Sequence, residues 1–549
     1  MKNPKLDKFI NWWKLDKRYL LLLKTLLAAL LPIVGCLVYC AMEGRSIGEV
    51  YLPGSEWNDE LFYFKQVEAI VEFGYPQGYF GFNESHALKL SFAAWSPVLV
   101  FPWVAWGLLF GWNMLSPIIC NILLMTLATA LFVWLVKPTW KQMGLLTMLF
   151  FLYTPFVRYM LSGMPEVICF SMLIIFYGLA ISYLQKESYG KIAWMLILSG
   201  LLTLMRPYML LFMLLPMAFW IKKNKWQGII GSILVTVAVG VPYVLIKHYL
   251  GAEYFTPLFY TDWATAFLEQ GLFGGIRYSL SKIYWNGIGF LRHMNSGIQD
   301  GLASGAFFSG FVIMMFVLIC QSVADLGKWR RETKAIVRDG VGDAKKKAQH
   351  KELRNILIVE AHLAFSFVAM LFALLLMYKL TEGSKHLLTF MAVGVFVISL
   401  MRTKFYKKAV FIGAVFAYFY SFMAVDPYDY QVPFVEENRQ MQVVDWEETF
   451  AEKFTLVEEN VPNYDNAIIW VFSDTVDGET VVNKWQLLYG LPKGFGISCC
   501  ESQYIIANFD NLQNRYIATV NAGEIDGMCR EAGFVEIGRD GDMVVYERY

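Results

Sequence analysis

At 549 residues, with 57% hydrophobic and 17% charged side chains and a mean hydropathy of +0.44, the chain has too little polar surface to cover its apolar area in water. That excludes a soluble or a disordered protein, and the apolar runs point instead to a multi-pass membrane body. The net charge is only +1, yet from Asp426 onward 8 Lys/Arg stand against 23 Asp/Glu, leaving +16 for everything before. So abrupt a change marks a domain boundary.

In chain order, residues 1–18 carry six Lys/Arg and form a cytoplasmic N-terminal segment. The apolar stretch Tyr19 to Met42 follows, too long for a cleaved signal core and long enough to span. Lys24 lies near enough to its inner end to snorkel. Further apolar runs are Phe92–Trp112, Met114–Val136, Met143–Leu161, Val167–Leu184, Ile192–Ile221, Gly228–Ile246, Leu302–Ala324, Ile356–Tyr378, Leu387–Met401 and Ala409–Val425. Phe92–Trp112 contains Pro97 and Pro102 and suits an interfacial helix, whereas Ile192–Ile221 is interrupted at Arg206-Pro207 and suits two short crossings. With that choice Lys137/Lys141, Lys186/Lys191, Lys222/Lys223/Lys225, the ten Lys/Arg of Asp325–Arg354 and Arg402/Lys404/Lys407/Lys408 all fall on the cytoplasmic side. Counting the other way puts Lys137/Lys141 and Lys186/Lys191 outside. The preferred topology has about eleven crossings over residues 19–425, outer loops at 43–91 and 247–301 and a solvated cytoplasmic connector at 325–355. Residues 426–549 form an extracytoplasmic acidic domain.

That tail alternates apolar runs with turn signals, the mark of a small α/β domain. Strands are expected at Ala467–Phe472 and Tyr504–Phe509, helices at Val482–Tyr489 and Gly523–Ala532, and a hairpin of Phe534–Ile537 with Met543–Tyr546 around Arg539-Asp540-Gly541-Asp542. Its cysteines, Cys499, Cys500 and Cys529, suit one bridge from the adjacent pair to Cys529 better than a redox site. None of the eight cysteines has zinc-ligand spacing.

Candidate chemistry sits on the outer side. The first outer loop holds Trp57-Asn58-Asp59-Glu60, which opens a helical pattern ending near Gly74. Asn58 and the two acids suit a helix start, but carboxylates beside a membrane surface also suit general-base work, because partial desolvation raises their pKa. The apolar positions Leu61, Phe62, Phe64, Val67, Ile70 and Val71 predict a membrane-facing stripe on that helix. Glu166 follows Pro165 in the next outer turn, again at a helix start. Arg206 stands at the break between two short apolar stretches, and Lys385-His386 opens a late crossing at the same level. Cations at that level can pair with the phosphate of a lipid whose tail stays in the bilayer. Arg158 is a further such cation.

In their order and sidedness these motifs resemble superfamily C (GT-C) glycosyltransferases, in particular the protein mannosyltransferase-like and aminoarabinose transferase-like branch. They comprise an anchor crossing, the Asp59-Glu60 pair, Trp95-Ser96-Pro97 leading into an interfacial helix, a carboxylate beside Pro, Leu204-Met205-Arg206-Pro207 and a late basic pair. The likeness runs from about Tyr19 to Val425. It implies a polytopic helical fold with an extracytoplasmic domain, and transfer of a sugar from a polyprenyl phosphate to a glycan, lipid or protein acceptor at the outer face of the cell membrane. Asp59 then maps to the catalytic base, with Glu60 second, and the pair could hold a divalent cation. Arg206, Lys385, His386 and Arg158 map to donor-phosphate binding. Glu166 is the second-loop acid, although it follows its proline where the family's acid precedes one, and Lys385-His386 replaces an Arg-Tyr pair. No nucleic-acid partner is implied. The alternative, a transporter or flippase of a lipid-linked or polar substrate, should show acids or broken helices near the bilayer middle and internal repeats, and the sequence shows no repeat.

Overall fold

Long uninterrupted apolar stretches in lipid can satisfy their backbone only as helices, and helices dominate the body. The computed structural model describes residues 17–42, 46–47, 59–75, 95–151, 157, 159–251, 260–295, 299–338, 344–377, 451, 454–462, 468–482, 485–493, 495 and 497–548. Arg158, Lys385, His386, the runs Leu387–Met401 and Ala409–Val425 and the boundary at Asp426 lie outside the described residues.

The membrane body comprises α1 (Lys17–Met42), α2 (Asp59–Phe73), a 3-10 turn Pro97–Val100 leading into α3 (Phe101–Phe110), α4 (Ser116–Val136), α5 (Trp140–Phe151), α6 (Glu166–Gln185), α7 (Tyr189–Met205), α8 (Leu210–Lys223) and α9 (Lys225–Leu250). Then come α10 (Asp262–Glu269), α11 (Gly271–Asn295), α12 (Gln299–Arg338) and α13 (Ala344–Met377). Among the described residues, five helices are long and apolar enough to cross a bilayer: α1, α4, α6, α9 and the part of α13 from His350. The chain is a multi-pass α-helical membrane protein. α6 is its central span, buried along most of its length, and its Gly178 lets α4 approach so closely that a Cβ there would meet Phe132 at 3.2 Å.

Pro207 cannot continue a helix and forces the preceding Arg206 into an extended conformation (φ −143°, ψ 116°), so α7 stops there. After the short turn Pro207–Met209 the chain reverses. The start of α7 and the end of α8 meet, because Lys222 bonds Glu187 at 2.6 Å and Lys223 Nζ sits 3.8 Å over the Tyr189 ring. The interrupted run is therefore a hairpin of two short helices. At about 1.5 Å per residue, α7 is only some 25 Å long against a hydrocarbon core of about 30 Å. With its basic end at one boundary of that core, α7 carries Arg206 no further than the other.

Among the described residues, the basic segments near Lys137, Lys186, Lys222 and Lys351 meet at one end of the bundle, and Arg402, Lys404, Lys407 and Lys408 lie outside the described residues. Lys24 donates to Pro138 O (2.6 Å) and Gln185 to Val136 O (3.0 Å). Glu187 receives Lys222, Lys351 at 3.0 Å and Asn355 at 3.0 Å. One carboxylate thereby ties the α6–α7 connection to the end of α8 and to α13. Burial pushes the Glu187 carboxyl up, but the bonds from Lys222, Asn355 and Lys351 outweigh it and hold the pKa at about 2. A depressed carboxylate contributes stability that is complete above its ordinary pKa and is lost as pH falls toward the folded value. Glu187→Gln should accordingly lower the unfolding temperature at pH 7, with the difference from the parent shrinking as pH falls from 4.5 to about 2. A difference independent of pH would mean that the charge is not what holds the connections.

Two expectations are corrected here. The segment 325–355 is helical over most of its length rather than a loop: α12 runs on to Arg338 and α13 begins at Ala344, extending the hairpin beyond the spans. Lys, Arg and Glu favour helix, and Trp329 stacked on His350 (5.4 Å) joins the two extensions. Nor does α2 present a stripe to lipid. Every residue from Glu60 to Ala69 is buried, and Ile70 and Val71 are half-buried, because α2 is packed between the bundle and the tail. Trp112 donates to Phe64 O at 3.1 Å from the bundle side, while the Phe64 ring meets Tyr489 of the tail at 5.6 Å. Buried Lys65 bonds Glu68 (3.1 Å) and Leu491 O (3.0 Å). Lys65→Met should remove a charged hydrogen bond worth about 1.5 to 3 kcal/mol and loosen the tail. Faster proteolytic cleavage within residues 485–495 of the full chain is the expected result; an unchanged rate would show that Lys65 does not hold it.

The tail is an α/β domain built from α14 (Thr455–Asn460), β1 (Ile468–Val476), β2 (Glu479–Val482), β3 (Ile497–Glu501), α15 (Ser502–Asn508), β4 (Tyr516–Val520), α16 (Glu524–Glu531), β5 (Val535–Asp540) and β6 (Met543–Glu547). The sheet order is β2-β1-β4-β6-β5, with β3 also on β1; β3, β1 and β4 are parallel and the others antiparallel. Tyr504–Phe509 is helix and turn rather than strand. Its β-branched run suggested extension, but joining parallel β3 and β4 across β1 needs a crossover, and Ile505 packs that crossover onto Ile469 and Val471. The expected bridge is also absent: Cys499, Cys500 and Cys529 are buried thiols. Asp474, at the end of parallel β1, accepts Ile525 N–H (3.1 Å) at the start of α16 and fills the place where such folds commonly receive an anion.

Candidate active site at the helix ends opposite the basic segments

Opposite the basic end, the turn before α6 and the break after α7 come together. Trp103 Nε1 donates to Asn121 Oδ1 (3.0 Å), and Asn121 Nδ2 donates to Ser162 O (3.1 Å). The Ser162 hydroxyl donates to Tyr159 O (2.9 Å) and accepts Met164 N–H (3.2 Å). This chain of bonds fixes the turn that delivers Glu166 as the first residue of α6, where the helix dipole favours a negative charge.

Glu166 Oε1 accepts from Arg206 Nη2 at 2.6 Å, with the two side chains 5% and 2% exposed. Arg206 Nη1 donates to the Tyr208 hydroxyl at 3.2 Å, and the guanidinium lies 5.1 Å from the Trp95 ring centre. Trp95 meets Tyr208 edge-on at 6.0 Å, so the two rings wall the cation. Ser96 caps the turn after Trp95 by accepting Val98 N–H at 3.3 Å. Glu166 Oε2 is buried and has no hydrogen-bond partner among the described residues. The extended backbone of Arg206 and the start of α6 thus present one cation and one carboxylate side by side.

Helix α2 lies beside this pair. Tyr63 of α2 lies within electrostatic reach of the Arg206 guanidinium. Asp59 is one helical turn before Tyr63 and shares its face, whereas Glu60 lies about 100° further round. Asp59 is half-buried and Glu60 fully buried. The structure therefore gathers Glu166 and Arg206 directly, with α2 beside them. Trp95 stood in a motif quoted from the sequence and Tyr63 on the helix opened by Asp59-Glu60; Tyr208, Asn121 and Trp103 were not singled out. Tyr208, two residues after Arg206 in Arg-Pro-Tyr, is the one that local sequence could have flagged. Among the described residues no three His, Cys, Asp or Glu side chains converge as a metal-ligating group.

No protein-family model and no curated protein matches the chain. Among solved structures, the chain is similar to the crystal structure of ArnT from Cupriavidus metallidurans bound to undecaprenyl phosphate, at 11% identity and a TM-score of 0.37, over 89% of this chain and 93% of that one.

Proposed function

We propose that this chain is a glycosyltransferase that moves a sugar from a polyprenyl-phosphate donor to an acceptor on the outer face of the membrane. The observation that carries the reading is the walled Arg206 at the end of the bundle opposite the basic segments; in the proposed topology this is the outer end, where a lipid's phosphate meets protein while its tail stays in the bilayer. The acceptor hydroxyl attacks the anomeric carbon and loses its proton to Asp59. The bond from that carbon to the phosphate oxygen breaks, and its electron pair leaves with the polyprenyl phosphate, whose growing charge Arg206 stabilises. Glycan, lipid and protein acceptors are all compatible with this chemistry. Lys385, His386 and Arg158 remain proposed donor contacts, and Glu60 with Asp59 the proposed holder of any divalent ion.

One observation favours the transporter reading: Glu360 and His362 are buried within the α13 span, with His362 Nε2 3.3 Å from the Tyr177 hydroxyl. Tyr177 is about 16 Å along α6 from Glu166, so that cluster is separate from the outer site. The test is full-length protein in lipid nanodiscs given a polyprenyl-phosphate-linked radiolabelled sugar. Release or transfer of the sugar with formation of polyprenyl phosphate is expected; movement of intact donor between leaflets without bond cleavage would support transport instead.

A further inference from the structure

We propose that Glu166 is a resident stand-in for the donor's phosphate, which holds the charge of Arg206 at rest and is displaced when the lipid phosphate binds. The inference rests on the donor proposed above and adds how the site is kept ready. A guanidinium buried this deeply needs a counter-charge whenever substrate is absent, because desolvation makes an isolated buried cation costly. Glu166 supplies it, but through one oxygen only. A carboxylate built solely to hold an arginine commonly meets it with both oxygens in a fork, and here Oε2 is buried with no hydrogen-bond partner among the described residues. Tyr208 and the Trp95 face hold the guanidinium independently of Glu166, so the cation keeps its place when the carboxylate leaves. At the first position of α6, the displaced carboxylate remains in the favourable field of the helix start.

The charge balance gives the device a purpose. The donor is a phosphodiester with one negative charge, and the product is a phosphomonoester with up to two. A site with no competing anion would therefore hold its product most tightly. Glu166, returning to Arg206, opposes that retention and promotes release.

The test titrates undecaprenyl phosphate, undecaprenol and inorganic phosphate against full-length parent and Glu166→Gln protein in nanodiscs, reading the ligand-induced rise in unfolding temperature. Removing the competing charge should tighten binding of undecaprenyl phosphate by about tenfold or more and enlarge its stabilising effect. Undecaprenol should do neither, and inorganic phosphate separates recognition of the anion from recognition of the lipid. Glu166→Asp, which keeps the charge but draws it back by one methylene, should fall between and serves if Glu166→Gln does not fold. If the parent binds undecaprenyl phosphate and the variants bind it equally or more weakly, displacement is wrong while the donor reading stands. If no protein prefers undecaprenyl phosphate to undecaprenol, the donor reading fails and takes this inference with it.

Discussion

Asp59→Asn should lower sugar transfer by about 10²- to 10⁴-fold, the usual contribution of a general base, while the protein folds as before. Asparagine keeps the shape of the side chain and its ability to accept hydrogen bonds at a helix start, and it lacks only the basicity. Asp59 opens α2, is half-buried, and shares a helix face with Tyr63, which lies within reach of Arg206. In the proposed reaction, that placement puts the base beside the phosphate that Arg206 would hold. Glu60, a neighbour in sequence, is buried around the helix from that face, so Glu60→Gln should cost stability more than turnover. The measurement is the initial rate of transfer from a radiolabelled polyprenyl-linked sugar, with the unfolding temperature of each variant recorded beside it. Transfer at the parent rate by Asp59→Asn would return Asp59 to a purely capping role.

The parts of this molecule legible in the sequence are those set by bilayer physics. Charge sidedness grouped Lys137, Lys186, Lys222 and Lys351, and the bonds among Pro138, Gln185, Glu187, Lys222 and Asn355 gather those connections at one end. The Arg206-Pro207 break was readable because proline acts on its own helix and on the residue before it. The bounds of α2, from Asp59 to Phe73, followed from the acids at its start and Gly74 at its end, where φ is +77°.

What escaped depended on partners far away in the chain. Nothing local to α2 says that Leu491, more than four hundred residues later, will cover Lys65. An amphipathic pattern reports one polar face and one apolar face, whereas a helix between two packed bodies is buried on both. In the tail, Tyr504–Phe509 has the composition of a strand and becomes a helix because the sheet around it is parallel. Asp477-Gly478, by contrast, was a readable signal that went unused: both residues have positive φ, as a two-residue hairpin requires, and they join β1 to β2. At the site, sequence placed Glu166 and Arg206 at one level but assigned them separate tasks, because spacing cannot tell that two side chains forty residues apart will touch.

That contact sets the second large effect. Arg206→Met should destabilise the protein by about 3 to 5 kcal/mol, the range found when one member of a buried ion pair is removed and the other is left without its counter-charge. Adding Glu166→Gln should recover much of the loss, since methionine and glutamine fill the same space without a buried charge. Glu166→Gln alone should also destabilise, by removing the carboxylate bonded to the guanidinium beside Trp95 and Tyr208. The three variants with the parent form a double-mutant cycle, read from unfolding in detergent, and a strong favourable coupling is expected. Additive losses would mean that the 2.6 Å contact carries little energy, and a carboxylate so weakly held could not serve as the counter-ion at rest. Activity should not follow stability through the cycle. The double variant regains its fold, yet it has lost the only described cation at this site and, with it, the proposed grip on the donor's phosphate, so transfer should stay as low as in Arg206→Met.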